Sequence, residues 1–179
     1  MANEKSCVLL PFLVGLVAAI ALGWWGYPRV LYSKKVQPIR FSHPVHVDDM
    51  GLDCDYCHYY REDGSFAGMP TTYSCAECHE EAVSDDPDEI RFVEEYVVPD
   101  KEVPWLVYQK QPDNVYFSHI AHEDLDCTEC HIDVASMDTP PVLYENRLTG
   151  YSKDTMKMWQ CERCHAESGA SNACYVCHK

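Results

Sequence analysis

The chain has 179 residues, and its 29 acidic against 14 basic side chains give a formal net charge of −15 at pH 7. A surface of this sign repels phosphate backbones, so nucleic acid is excluded as a partner and a basic protein is favoured instead. The chain also contains 11 cysteines and 9 histidines, and their spacing is its most informative feature.

The first predicted element is an apolar helix at the N-terminus. Residues 8–27 carry no charged side chain, and about 20 such residues are needed to cross the hydrocarbon core of a bilayer. Trp24, Trp25 and Tyr27 close the stretch, as amphipathic rings do at a membrane interface. A cleaved signal peptide is the alternative. We expect residues 1–27 to form a membrane anchor.

Five copies of the pattern Cys-x-x-Cys-His follow along the chain. This pattern is the attachment signature of c-type haem, because its two cysteines form thioethers with one porphyrin and its histidine binds the iron from below. The predicted attachment residues are Cys54, Cys57, Cys75, Cys78, Cys127, Cys130, Cys161, Cys164, Cys174 and Cys177. The predicted proximal iron ligands are His58, His79, His131, His165 and His178.

Other uses of paired cysteines explain the pattern less well. Zinc sites do not require a histidine directly after every second cysteine. A thioredoxin-like redox site needs one such motif in a βαβ setting, and a disulfide framework leaves the histidines unexplained. We therefore predict five covalently bound haem c groups. A sixth haem would need an atypical attachment, for which Cys7 is the one cysteine outside the motifs.

The four histidines outside the motifs occur in two copies of one phrase, Phe-Ser-His-x-x-His, at residues 41–46 and 117–122. Histidines three residues apart share one helical face and so can serve two different irons. The predicted distal ligands are His43, His46, His119 and His122. Four distal histidines for five irons leave one iron that takes a methionine, stays five-coordinate or borrows a ligand from a partner subunit.

The repeated phrase resembles the segment that precedes the first haem motif in multihaem cytochromes of the c3 and c7 family. That resemblance implies which distal histidine faces which motif, and it leaves the C-terminal haem unmatched. The implied pairs are His43 with His58, His46 with His79, His119 with His131, and His122 with His165, with His178 left over.

Two arguments conflict over the orientation of the anchor. Arg29, Lys34 and Lys35 follow the apolar segment while Lys5 precedes it, which by charge alone would place the C-terminal side in the cytoplasm. Thioether attachment of haem is made outside the cytoplasmic membrane, and an obligatory covalent cofactor outweighs a weak charge bias. We expect a single-pass protein of the bacterial cytoplasmic membrane with its haem domain in the periplasm.

The part after the anchor has about 30 residues for each haem, too few for an ordinary hydrophobic core beside the cofactors. We predict a mostly irregular and α-helical fold that is packed around the porphyrins, with short helices and little sheet. The two phrases form an internal repeat of about 76 residues. They divide this part into a two-haem module (28–79), an acidic spacer (80–116) and a three-haem, cytochrome c7-like module (117–179).

The spacer is the most acidic segment of the chain. Between positions 80 and 95 it has eight acidic side chains and one arginine. Such a stretch is interpreted either as a solvated loop or as a docking surface for a basic protein. Residues 103–112 alternate apolar and polar groups between prolines, which indicates an exposed extended segment or one that lies against a partner.

One anchor, five motifs and two Phe-Ser-His phrases together resemble the membrane-anchored multihaem subunit of the quinone reductase complex (Qrc) and of alternative complex III. The short, acidic chain is more similar to Qrc. The resemblance implies three neighbouring subunits: an iron–sulfur protein, a molybdopterin-enzyme-like protein and a polytopic quinone-binding protein. It also implies that electrons come from a soluble, lysine-rich cytochrome c3.

Three other functions are considered. The chain could be the equivalent subunit of alternative complex III, which oxidises menaquinol, or a free-standing quinol dehydrogenase of the NapC/NrfH type. The two Phe-Ser-His phrases argue against the NapC/NrfH type. A multihaem nitrite or sulfite reductase would be longer and would build its substrate pocket from basic residues, which this acidic chain lacks.

The motif count predicts five covalently attached haems, of which four are low-spin with two histidine ligands. Replacement of Cys127 and Cys130 by serine should remove one haem and destabilise its neighbours, which pack on that porphyrin. The intact mass of the purified subunit measures the number of haems. Fewer than five haems, or five equivalent bis-histidine spectra, would contradict the ligand assignment.

Overall fold

The computed structural model describes residues 4–66 and 68–178, with side chains from Leu9 onward. The side chain of Cys7 therefore lies outside the described part. Short helices alternate with irregular segments, and the sheet has two strands, so the predicted fold class is confirmed. The α-helices are α1 (Glu4–Ala21), α2 (Tyr27–Leu31), α3 (Cys54–Cys57), α4 (Thr72–Ala76), α5 (Pro87–Phe92), α6 (Met158–Ser168) and α7 (Cys174–Cys177).

The N-terminal element is one nearly continuous apolar helix. Helix α1 leads through a π-helical turn at Leu22–Gly26 into α2. The stretch Leu9–Leu31 has a mean hydropathy of 2.0, and none of its apolar window is buried against the rest of the chain. Its length and composition suffice to cross a bilayer, and its exposure means that its apolar surface must be covered by something outside the chain.

The sheet ties the end of this helix to the C-terminal half of the chain. Strand β1 (Tyr32–Lys35) follows α2 directly and pairs antiparallel with β2 (Leu143–Asn146), so that Tyr32 lies opposite Asn146 and Lys35 opposite Leu143. Leu143 is buried beneath this ribbon. The sheet therefore holds the anchor against the predicted three-haem module, about 110 residues further along the chain.

Each haem motif lies at least partly in helix. The first and fifth motifs begin α3 and α7, the third begins a 3₁₀ turn at Cys127–Glu129, the second starts in the last turn of α4, and the fourth lies inside α6. The two distal phrases also form single turns, a π-helical turn at Val45–Asp49 and a 3₁₀ turn at His119–His122. One turn is enough to place two cysteines and a histidine around a porphyrin, which explains why most helices are so short.

The principal hydrophobic cluster is formed between the acidic spacer at residues 80–116, called the acidic segment from here on, and Ile39 of the preceding chain. Within the described residues, Ile39, Phe92, Val93 and Val103 are buried together, and Cys75 packs against them. From the start of α5 onward, apolar residues recur with the period of a helix, so this segment has one apolar face. The sequence left open whether the spacer is a solvated loop, and the structure shows that its middle part is folded and packed.

Polar contacts fix the acidic segment to the chain that precedes the first distal phrase. Asp86 caps the N-terminus of α5 by accepting from the backbone N–H of Asp88, and it pairs with Arg40 at 2.5 Å. Gln37 donates to the carbonyl of Leu106 and accepts from its N–H. Arg91 donates to the carbonyl of Pro38. The division of the chain into modules remains a prediction, but its spacer has a structural role.

Truncation of Phe92 to alanine should destabilise this cluster by about 3–5 kcal/mol, because a nearly buried aromatic side chain is lost and a cavity remains. The matched control is Val98→Ala, six residues later on the same segment, which should change stability by less than about 0.5 kcal/mol because Val98 is exposed. Thermal unfolding followed by Soret circular dichroism measures both. Equal effects of the two variants would show that the cluster does not support the fold.

Candidate haem sites

The five motif sites are numbered here by their order in the chain: the first at 54–58, the second at 75–79, the third at 127–131, the fourth at 161–165 and the fifth at 174–178. At three of them two histidine rings face one another across a gap. Ring centroids are 6.1 Å apart at His46 and His79, 6.3 Å apart at His119 and His131, and 6.2 Å apart at His122 and His165.

These gaps have the width that a six-coordinate iron requires. Metal–imidazole bonds of about 2.0 Å on either side of one atom place the two ring centres roughly 6 Å apart. Other ring contacts among the described residues range from 4.2 Å between Phe66 and His119 to 6.4 Å between Phe92 and Tyr96, so the pairing of a motif histidine with a second histidine, and not the distance alone, indicates an iron site. The rings are nearly parallel at the third and fourth sites, at 5° and 14°, and are inclined by 47° at the second.

The fourth implied pair lies at the first site. Burial lowers the pKa of His43, and the proximity of His58 and then of His46 lowers it further. The Nδ1 atom of His43 is buried without a hydrogen-bond partner. The structure thus brings His43 close to the histidine of the first motif, as the c3-like pairing implies.

The repeated phrase has the same geometry in both copies. Phe41 stacks on His46 at 4.4 Å and meets His43 edge-on at 4.9 Å. Phe117 does the same to His122 at 4.7 Å and to His119 at 4.8 Å. One aromatic ring therefore orients two histidines that face the histidines of two different motifs, which explains the phenylalanine of the phrase.

The serine of each phrase contributes its backbone. Nδ1 of His46 donates to the carbonyl of Ser42 at 2.8 Å, and Nδ1 of His122 donates to the carbonyl of Ser118 at 2.9 Å. A carbonyl accepts only from a protonated nitrogen, so these bonds leave the lone pair on Nε2 and aim it away from the phrase. Each is the tautomer that an iron ligand needs.

Three motif histidines are fixed in the same way. His58 donates through Nδ1 to the carbonyl of Gly68, His165 to that of Ser171 at 3.1 Å, and His178 to that of Asn114 at 3.3 Å. Gly68 has a φ of +72°, a conformation that glycine adopts readily. Neutral carbonyl acceptors are therefore the usual arrangement in this chain.

His79 differs from them. Its Nδ1 lies 2.8 Å from Oε1 of Glu89, in the first turn of α5, and the ring meets Phe92 edge-on. Partial burial acts to raise the pKa of Glu89, but hydrogen bonds from Ser84, the backbone of Val83 and His79 outweigh it, and the pKa is lowered. This carboxylate was not predicted from the sequence. The contact joins residues ten positions apart, and no motif spacing predicts it.

The described cysteines fit covalent haem better than the alternatives. No disulfide joins any of the ten motif cysteines. Within residues 4–66 and 68–178 no group of three or more histidine, cysteine or acidic side chains is arranged to hold a bare metal ion. Two thiols and one histidine at each motif instead match two thioethers and one axial ligand.

Electrostatic contacts between thiols show which sites are neighbours. Burial raises the pKa of Cys54, and the thiol of Cys127 at the third site raises it further. Burial also raises the pKa of Cys57, followed by the effects of Cys54 and of Cys78 at the second site. The first site therefore lies between the second and the third.

The same reasoning extends to the C-terminal half. Burial raises the pKa of Cys130 at the third site, and Cys164 of the fourth site adds to the rise. Burial raises the pKa of Cys161 at the fourth site, where Cys177 of the fifth site adds to it. These contacts link neighbouring sites in the series second, first, third, fourth, fifth.

No histidine outside the motifs is available as a distal ligand for the fifth site. The four histidines outside the motifs lie near the histidines of the other four motifs, which leaves none of them for His178. Its motif is held by a backbone bridge to Val115 and by a hydrogen bond from the N–H of Tyr116 to the carbonyl of Cys177. These contacts place the fifth motif beside the start of the second distal phrase.

Replacement of His119 by methionine and of His122 by methionine should alter two different haems, because these rings face His131 and His165 respectively. Each substitution should raise one reduction potential, since a thioether ligand favours ferrous iron more than an imidazole does. Potentiometric titration of the separate variants measures this. A shift of the same haem in both variants would refute the assignment.

Comparison with known proteins identifies the family. No family model matches the chain. A curated relative, "Menaquinone reductase, multiheme cytochrome c subunit" from Nitratidesulfovibrio vulgaris strain Hildenborough, is 60% identical over 199 aligned positions, which cover 99% of this chain and 94% of the relative. Similarity of this extent reaches from the apolar helix to the last haem motif. The chain belongs to the family of multihaem cytochrome c subunits of Qrc-type quinone reductase complexes, and is an electron-transfer protein.

Proposed function

We propose that this chain is a membrane-anchored periplasmic cytochrome with five haems, which relays electrons from a soluble basic cytochrome of the c3 type to the iron–sulfur and quinone-reducing subunits of its complex. The observation that carries the proposal is the series of neighbouring sites, in which the second adjoins the first, the first adjoins the third, the third adjoins the fourth and the fourth adjoins the fifth. The name of the relative, a menaquinone reductase, supports quinone reduction over quinol oxidation.

The residues proposed to hold the haems are the ten motif cysteines and nine histidines already described. When bound, each haem supplies an iron that takes up and releases one electron. The chain fixes the axial imidazoles in one tautomer, orients them with Phe41 and Phe117, and holds successive sites against one another. Fixed ligands keep the geometry of the iron the same in both oxidation states, which favours fast electron transfer.

The second site is the proposed receiving end of the relay. Helix α4, which carries its first cysteine, is joined to the acidic segment by a bond from the N–H of Thr72 to Glu102 and by one from the N–H of Val103 to the Thr72 hydroxyl. Cys75 itself packs on the hydrophobic cluster of that segment. A basic protein attracted to the acidic segment would therefore dock beside the end of the relay.

The fifth site is the proposed delivering end. It lies at the opposite end of the order of sites, and His178 has no histidine of this chain opposite it. A sixth ligand from a neighbouring subunit, a methionine of this chain or an open position would each distinguish this iron from the others. We favour a ligand from the neighbouring subunit, because the site then forms only where electrons leave the chain.

The sheet explains how such a relay is held at the membrane. Strand β1 begins directly after α2 and pairs with β2 between the third and fourth sites. The apolar helix thus joins the folded part at a strand that lies, in the sequence, between the third and fourth motifs. We propose that the helix spans the membrane once and that the folded part lies in the periplasm, where thioether attachment takes place.

The proposed docking predicts a steep dependence of electron delivery on salt. The association rate of a lysine-rich cytochrome should fall about tenfold or more when the salt concentration rises from about 0.01 M to about 0.15 M, because the screening length shrinks from roughly 30 Å to 8 Å. Stopped-flow reduction of the intact complex measures this rate. Reduction that is indifferent to salt, or equally fast with an acidic cytochrome, would contradict charge-driven docking.

Charge-reversal variants test where the basic cytochrome docks on this chain. Lysine at Glu80, Glu81 and Asp85, which are exposed, should weaken the salt dependence and leave the haem spectra unchanged. Asp86 is left in place because it caps α5 and pairs with Arg40, so its reversal would disturb the fold. The matched control carries lysine at Glu123, Asp124 and Glu167. An equal effect of both triple variants would show that net charge, not this segment, guides docking.

A further inference from the structure

The histidines of the haem sites differ in what their outer nitrogen faces. Of the six described histidines whose Nδ1 has an identified partner, five face a backbone carbonyl and one, His79, faces the carboxylate of Glu89. We propose that Glu89 is a positioning residue that lowers the reduction potential of the haem held by His79, and so makes the second site a low-potential end of the relay. This inference rests on the proposed function.

Glu89 is held firmly in its position. Oε1 accepts from Nδ1 of His79 at 2.8 Å and from the backbone N–H of Val83 at 2.9 Å, and Oε2 accepts from the Ser84 hydroxyl. The side chain of Glu89 is 13% exposed and that of His79 is 22% exposed. Both oxygens are engaged and little water reaches the pair, so the carboxylate keeps one orientation toward the imidazole.

A carboxylate acts on an imidazole more strongly than a carbonyl does. It carries a full negative charge and draws the Nδ1 proton toward itself, which makes Nε2 a stronger donor to the metal. Stronger donation, together with a nearby negative charge in a partly water-free site, stabilises ferric iron over ferrous iron. Reduction adds one electron to the iron, and the proton stays between Nδ1 and Oε1.

The position of the contact between His79 and Glu89 suits the role proposed for it in the relay. The second site ends the order of sites at the acidic segment, and the same segment provides Glu89. The next site along the relay contains His58, whose Nδ1 faces a neutral carbonyl. A lower potential at the second site makes the step to the first site downhill, so an electron received beside the acidic segment does not remain there.

A purely structural role for Glu89 predicts different behaviour. The carboxylate also fixes the loop at residues 83–84, and loss of that function would disturb the site whatever happens to the charge. Glu89→Gln separates the two roles, because the amide keeps an acceptor oxygen for His79 and removes the negative charge. Ser84→Ala removes the donor to Oε2, which should leave more of the carboxylate's negative charge for His79.

The experiment is a redox titration of the intact complex, monitored by low-temperature EPR. The angle between axial imidazoles governs the g-values of low-spin ferric haem, and the 47° angle at His46 and His79 should distinguish the second site from the near-parallel third and fourth sites. Glu89→Gln should shift the midpoint potential of that one signal to a more positive value. Ser84→Ala should shift the same signal to a more negative value.

The matched control is Glu94→Gln, which removes the same charge from an exposed position of the same segment. It should leave the signal in place. Absence of a shift in Glu89→Gln, equal shifts in Glu89→Gln and Glu94→Gln, or shifts of the same sign in Glu89→Gln and Ser84→Ala would overturn the inference. If Glu89→Gln fails to assemble, the sign of the Ser84→Ala shift decides.

Failure of the proposed function gives a different result. In that case the wild-type complex itself would lack five covalent haems or would lack four bis-histidine signals. If those are present and the potentials do not respond as described, only the role of Glu89 is wrong.

Discussion

The structure depends on one constraint, that two imidazoles must face each other across a gap of fixed width. The chain meets it by pairing residues 12 to 43 positions apart, from His119 with His131 to His122 with His165. Hydrogen bonds donated by Nδ1 and stacked phenylalanines orient the rings independently of any metal bond. Helices are short because one turn is sufficient for each motif, and the principal hydrophobic cluster among the described residues contains four buried side chains.

The acidic segment combines two tasks that are usually separate. Its apolar face, with Phe92, Val93 and Val103, forms the principal cluster of buried side chains among the described residues. Its acidic face gives the folded part a region of strong negative potential next to the second site. Because both faces belong to one segment, the surface proposed to attract a basic cytochrome is fixed rigidly to the first haem that would receive the electron.

Much of this could be predicted from the sequence, and the exceptions have physical reasons. Covalent haem chemistry requires fixed local spacings, so the five motifs and both distal phrases are visible without a structure. The contact between Glu89 and His79 was not predicted, because it depends on α5 folding back onto the second motif. The stacking of Phe66 on His119 joins the two modules and has no local signature. The helical periodicity of the apolar residues around Phe92 is present in the sequence, but the many charged side chains among them favour the prediction of a solvated loop.

The most direct test of the account is the position of the irons in a density map of the intact complex. The account predicts four irons between His43 and His58, His46 and His79, His119 and His131, and His122 and His165, with a fifth on His178. Neighbouring irons should follow the order second, first, third, fourth, fifth, and the second should lie beside the acidic segment. An iron held by any other pair of these histidines, or a second site separated from the first by another haem, would contradict the account.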